Sequence, residues 1–169
     1  MDILQLCCFS NFYPAHFNVE NWELTEGRDI LKMPCFYGTK FDLIVCAPPC
    51  DQFTKANQNN RQAFPAHNIA LVKKCLQVCL GSGKPWVIEN PPGRLENFVP
   101  ELKKYRVITW RSHVSNKEHV LYSNFLIVQP LKKRYGSHLK VGNLSRKQRL
   151  FFEPSLISDI INSLNPGHS

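Results

Sequence analysis

Long apolar runs are missing from this 169-residue chain. No stretch reaches the roughly 20 residues that a helix needs to cross a bilayer, and the amino terminus lacks the apolar core of a signal peptide. The expectation is therefore a cytoplasmic protein with no membrane partner. Acidic residues are few, 13 against 21 lysines and arginines, which leaves a net charge of +8 and a pI near 9.2. Such a surplus favours a polyanionic partner. The seven cysteines are odd in number, scattered through apolar segments, and never set as CxxC pairs. That pattern argues against a disulfide framework or a zinc ribbon and for reduced thiols. Cys75 and Cys79, four apart on a predicted helix, suit core packing better than metal ligation, so no metal site is expected. At this length one domain, residues 1–169, can bury a core of its own.

What is present centres on Phe41 to Asn57, FDLIVCAPPCDQFTKAN. Phe41, Leu43, Ile44 and Val45 form an apolar, β-branched strand signal that Pro48-Pro49 stops. Two prolines cannot continue a ladder and fix the backbone as it leaves the sheet. Cys50 is thereby held at the tip of a strand, where α/β proteins place their chemistry. His67 to Leu80 has helical apolar spacing with Lys73 and Lys74 on the opposite face, and Gly81 and Gly83 supply its stop. A second strand, within Lys84 to Gly93 (KPWVIENPPG), follows. A helix between two such strands is a βαβ unit, which brings Cys50 and Glu89 to adjacent strand ends.

Asp2 to Cys8 reads as the first strand, and about ten residues lead to the next apolar segment, Phe17 to Leu24. A parallel crossover normally needs a dozen or more, so this one is expected to be stripped down or absent. Val107 to Trp110 and His119 to Val128 read as a hairpin. Phe151 to Leu164 reads as an amphipathic helix starting after Pro154 with Ser155 as its cap. Between them, residues 129–149 are dense in Lys and Arg, and Lys132, Lys133 and Arg134 are candidates to track a phosphate backbone.

The Pro-Pro-Cys segment followed by Gln52 and Phe53, together with the strand ending Glu89-Asn90, resembles the DNA cytosine 5-methyltransferase family. This resemblance implies an abbreviated Rossmann-like methyltransferase fold of the α/β class, with a mostly parallel sheet, a C-terminal hairpin and a closing helix. The short basic loop 129–149 stands where the family carries a target-recognition domain, as in a compact phage-type member acting in a bacterial host. The implied cofactor is S-adenosylmethionine, held by Leu6, Phe9, Glu23, Asp29, Ile30 and Pro48. Glu23 is placed to take the ribose hydroxyls and Asp29 the adenine amino group. The plain alternatives are a solvated strand-end charge and a turn or helix cap. The implied catalytic set is Cys50 as nucleophile, Glu89 at ring nitrogen 3 and Arg111 on the base carbonyl or beside the thiolate. Gln52 and Arg61 are candidate nucleic-acid contacts beside the lysines of the basic loop. Lys117 matches a lysine of phage-type relatives or is an exposed strand-end charge.

The family's first strand leads into a glycine-rich turn, whereas this chain has Phe9-Ser10-Asn11 there. The alternatives are thus a catalytically silent relative that binds nucleic acid or inhibits, and an enzyme acting on a free pyrimidine nucleotide. A homo-oligomer or a helper subunit would supply what the short chain omits.

Overall fold

A computed structural model describes residues 1–8, 13, 16–23, 27–50, 53, 66–111, 118–128 and 154–164. Six apolar segments become strands of one sheet: β1 Asp2–Leu6, β2 Asn18–Trp22, β3 Leu43–Cys46, β4 Trp86–Asn90, β5 Arg106–Arg111 and β6 Glu118–Ser123. Their order across the sheet is β2-β1-β3-β4-β6-β5. The first four pair in parallel, and β6 runs antiparallel between β4 and β5. β3 and β4 are fully buried along their length, as strands covered on both faces are, and they are apolar up to the Glu89-Asn90 end of β4. One face is covered by helix α1, Ala66–Ser82, with the short helical turn α2, Leu95–Phe98, and 3-10 turns at Ile30–Lys32, Cys35–Lys40 and Pro100–Lys104. The other face is covered by helix α3, Pro154–Leu164, through Leu156, Ile157 and Ile160. This is the Rossmann-like α/β architecture expected of the sequence, in abbreviated form, with the hairpin and the closing helix.

The sheet runs outward from β1 in both directions, to β2 on one side and to β3 on the other. That is a topological switch point, and open α/β sheets bind ligands in the crevice outside the strand ends at such a point. Leu6 and Cys46 are register partners there, so the Cys50 loop leaves β3 beside the crevice.

Several element boundaries differ from the sequence reading. The first crossover is present but minimal: eleven residues, 7–17, separate two parallel strands. β1 ends at Leu6 because Cys7 turns the chain with φ of +57°. β6 stops at Ser123, five residues short of the expected end. There the Asn124 side chain takes over from the ladder, accepting from the Trp86 amide at 2.9 Å and donating to the Lys84 carbonyl at 2.9 Å. α1 extends to Ser82, so Gly81 lies inside it, and only Gly83, with φ of +65°, acts as the stop. Gly81 has a packing reason instead, since a Cβ there would stand 2.6 Å from the Cys35 carbonyl oxygen. Ser155 lies within the first turn of α3 and not at its cap. Cys75 and Cys79 are core residues of α1. Among the described residues no helix is long and apolar enough to cross a membrane.

Candidate active site

The prolines after β3 and those after β4 make two stiff loops at neighbouring strand ends, and two hydrogen bonds join them. Asn90 Nδ2 donates to the Pro48 carbonyl at 3.2 Å, and the Arg94 amide donates to the Phe53 carbonyl at 2.7 Å. Phe53, fully buried against Phe98 at a ring separation of 5.7 Å, anchors the first loop from below. Its amide closes a turn onto the Cys50 carbonyl at 2.9 Å. Cys50 is half-buried on this clamped loop. Four of the other six cysteines are fully buried: Cys8, Cys46, Cys75 and Cys79. Burial pushes the thiols of Cys8, Cys46 and Cys79 up. Hydrogen bonding to Cys46 raises Cys75, and hydrogen bonding to Cys75, with burial added, raises Cys7. Raised thiols are poor nucleophiles because the thiolate is the reactive form. Cys50 and the exposed Cys35 are left as accessible sulfurs, and Cys50 alone of the two lies at a strand tip.

Glu89 is buried, 8% exposed, near the carboxyl end of β4. Alternation along β4 turns it to the side of Val87, the sheet face covered by α3. On β6 its cross-strand partner is Leu121, and the diagonal neighbour two residues away is His119. His119, 1% exposed, brings Nδ1 to 2.7 Å from Glu89 Oε1. The His119 ring meets Trp110 edge-on at 5.5 Å, and Trp110 Nε1 donates to Asp159 Oδ2 of α3 at 2.8 Å. A buried polar chain thus runs from the closing helix through β5 and β6 to the carboxyl group.

Arg111 is not part of that chain. Residues alternate across a strand, so it emerges on the face of β5 opposite Trp110, exposed, and pairs with Glu118 across the hairpin. The residues implied for the cofactor divide similarly. Leu6, Ile30 and Pro48 are buried, with Leu6 and Ile30 in the core cluster on the α1 face. Glu23 follows β2 directly and is buried, 6% exposed. Asp29 fills the capping reading: its Oδ1 accepts from the Leu31 amide at 3.0 Å, and Lys32 lies 3.7 Å from its Oδ2. Phe9, Gln52, Arg61, Lys117, Lys132, Lys133 and Arg134 lie outside the described residues.

A pocket of about 490 Å³ opens beside the end of β2, lined by Glu20, Trp22, Gly27, Arg28, Asp29, Lys32 and Tyr37. Glu20 organises its wall, accepting from Tyr37 at 2.5 Å, Trp22 at 2.7 Å and Lys40 at 3.2 Å. Burial acts to raise the Glu20 carboxyl, but these donors outweigh it and hold the group below its ordinary range.

His119, Trp110 and Asp159 belong to none of the motifs that the sequence brings forward. The available signals are a histidine in phase with Leu121 on an apolar strand, and an aspartate among Leu156, Ile157 and Ile160 on the apolar face of a helix. Each is weak alone, since polar residues also face cores for purely structural reasons.

Comparison with known proteins yields a fold and no family. No family model matches the chain, and no curated protein matches its sequence. Among solved structures it is similar to the Entamoeba histolytica methyltransferase EhMeth, with a TM-score of 0.50 and 8% sequence identity over 80% of this chain. The chain spans 57% of that structure. The fold is therefore methyltransferase-like.

Proposed function

We propose that this protein is a DNA cytosine 5-methyltransferase using S-adenosylmethionine, with Cys50 as nucleophile and Glu89 as the acid that serves the ring. The observation that carries the reading is the pair of hydrogen bonds, Asn90 to Pro48 and Arg94 to Phe53, that locks the Pro-Pro-Cys loop onto the end of the Glu89 strand. A structural thiol would need no such clamp at a strand tip beside the switch point.

Carbon 5 of cytosine is too weak a nucleophile to take a methyl group directly. The Cys50 thiolate forms a bond to carbon 6, and the ring's double-bond electrons shift toward carbon 5 and nitrogen 3. Glu89, as the carboxylic acid, gives its proton to nitrogen 3 and leaves carbon 5 enamine-like. After transfer, water takes the carbon 5 proton, the electrons of that C–H bond restore the ring double bond and expel the thiolate, and the nitrogen 3 proton returns to Glu89. The base must leave the duplex, or belong to a single strand, to reach these groups.

The residues present fit the cofactor. The residues standing where the family has its glycine-rich turn, Phe9-Ser10-Asn11, lie outside the described residues, and just before them Cys7, at the end of β1, takes a left-handed backbone with φ of +57°. For a non-glycine residue this conformation is strained and clusters at functional sites. The buried Glu23 carboxylate follows β2 and suits a ribose diol. The neighbouring pocket, with Trp22 in its wall, offers an aromatic face to adenine. Bound S-adenosylmethionine would supply the methyl electrophile that carbon 5 takes.

The test is transfer of tritium from methyl-labelled S-adenosylmethionine to DNA, run beside Cys50→Ser. The parent protein is expected to label DNA and the variant to give background counts at an unchanged melting temperature. No labelling by the parent, under conditions where DNA is bound, would remove the enzyme reading. Labelling of a free cytidine nucleotide in preference to DNA would move the substrate class.

A further inference from the structure

The buried pair of Glu89 and His119 is backed by Trp110 and the closing helix, and its histidine lies in none of the motifs that suggested the reaction. His119 is 1% exposed, its Nδ1 stands 2.7 Å from Glu89 Oε1, and its ring leans edge-on against Trp110. Trp110 is itself tied to Asp159 of α3 at 2.8 Å, and Ser163 of α3 accepts the Val128 amide at 2.9 Å, so the closing helix is pinned where it backs the ring. The other ring nitrogen, Nε2, is buried with no partner among the described residues. A histidine placed only for packing would not leave one nitrogen bare while aiming the other at a carboxyl group, because an unmet buried polar atom carries its full desolvation cost.

We propose that His119 is a positioning residue for Glu89, a reading that rests on the cytosine chemistry above. Nδ1–H donates to Oε1 and fixes the plane of the carboxyl group, leaving Oε2 as the oxygen that carries the proton to ring nitrogen 3. When Oε2 gives that proton up, the new carboxylate keeps the Nδ1–H bond, which strengthens as the acceptor becomes charged. The bond is thus stronger after proton transfer than before it, the condition for an interaction to speed a step and not merely bind substrate. The basic side chain on Glu89 is His119 of β6, while Arg111 pairs with Glu118 on the opposite face of the hairpin. The proposal requires the Nδ1–H tautomer, because only a donor at Nδ1 can serve Glu89 both as the acid and as the carboxylate left after proton transfer.

Two measurements decide the matter. Long-range ¹H–¹⁵N correlation spectra of the labelled protein should show the Nδ1–H tautomer of His119, and Glu89→Gln should move that proton upfield. The Nε2–H tautomer, or a resonance unmoved in Glu89→Gln, overturns the proposal whether or not the protein turns over. In methyl transfer, His119→Phe should lower kcat about 100-fold, within the range of an acid–base contribution, with KM for DNA unchanged. His119→Asn, which keeps a donor near the Nδ1 position, should recover at least roughly tenfold of that loss. Parental kcat in His119→Phe, or equal losses in the two variants, overturns it. If His119→Phe fails to fold, His119→Asn against the parent and the spectra still decide. A parent that transfers no methyl group yet shows the Nδ1–H signal sinks the methyltransferase reading and leaves the hydrogen-bonded pair standing.

Discussion

Removing the Asn90 side chain should loosen the Cys50 loop and destabilise the fold together. Asn90 is 1% exposed, and its Nδ2 is a donor to the Pro48 carbonyl at 3.2 Å. In Asn90→Ala that carbonyl is left without the donor, at a cost of about 1–3 kcal/mol for a buried acceptor. Part of this is returned, because the Oδ1 atom of Asn90 is itself buried without a partner among the described residues, and the substitution removes it. The net destabilisation should be about 1–2 kcal/mol, which for a chain of this size lowers the melting temperature by roughly 2–8 °C. Asn90→Asp should be worse, since it sets a carboxylate oxygen against a carbonyl oxygen. The assay is thermal unfolding by circular dichroism, paired with the alkylation rate of Cys50 followed by peptide mapping in a Cys35→Ser background. Faster alkylation of Cys50 should accompany the lower melting temperature. Parental melting and parental alkylation in Asn90→Ala would refute the clamp, and Asn90→Asp more stable than Asn90→Ala would refute the donor assignment.

Replacing Lys132, Lys133 and Arg134 by glutamine should weaken DNA binding on every sequence. It should also flatten the plot of log affinity against log salt by roughly 2–3, about 0.9 for each duplex phosphate no longer neutralised; an unchanged slope on titration would count against that loop. Gly81→Val should destabilise by about 1–3 kcal/mol or more, because the new Cβ meets the Cys35 carbonyl at 2.6 Å and backbone cannot step aside as a side-chain tip can; denaturant midpoints read this directly. Glu20 is held below its ordinary range by its donors. Its contribution to stability is therefore full above the usual glutamate value of about 4.3 and is lost as pH falls through the depressed folded value. Glu20→Gln should remove that acid-side slope from unfolding curves taken between about pH 5 and 2, and parallel curves for parent and variant would contradict it.

Local chemistry along the chain determined a good deal. Pro48-Pro49 and Pro91-Pro92 end their strands wherever the chain goes, since proline neither donates to a ladder nor frees its own φ. The apolar runs Leu43 to Cys46 of β3 and Trp86 to Ile88 of β4 mark strands covered on both faces, and the helical spacing between them marks the crossover. The parallel β3–α1–β4 unit, with Cys50 and Glu89 at its edge, is therefore legible in the order of residues alone. Asn124 closing β6 is not, because its side chain replaces a ladder bond to a strand 38 residues earlier. Nor is the role of Gly81, which answers to a carbonyl at Cys35 and not to helix termination. Arg111 and His119 show the same divide most plainly. Sequence spacing puts a cation at a strand end, but a period of two decides the face, and the antiparallel insertion of β6 decides which neighbour Glu89 meets. Pairing between residues 30 apart is settled by the whole sheet at once, so the partner of the acid is a tertiary fact.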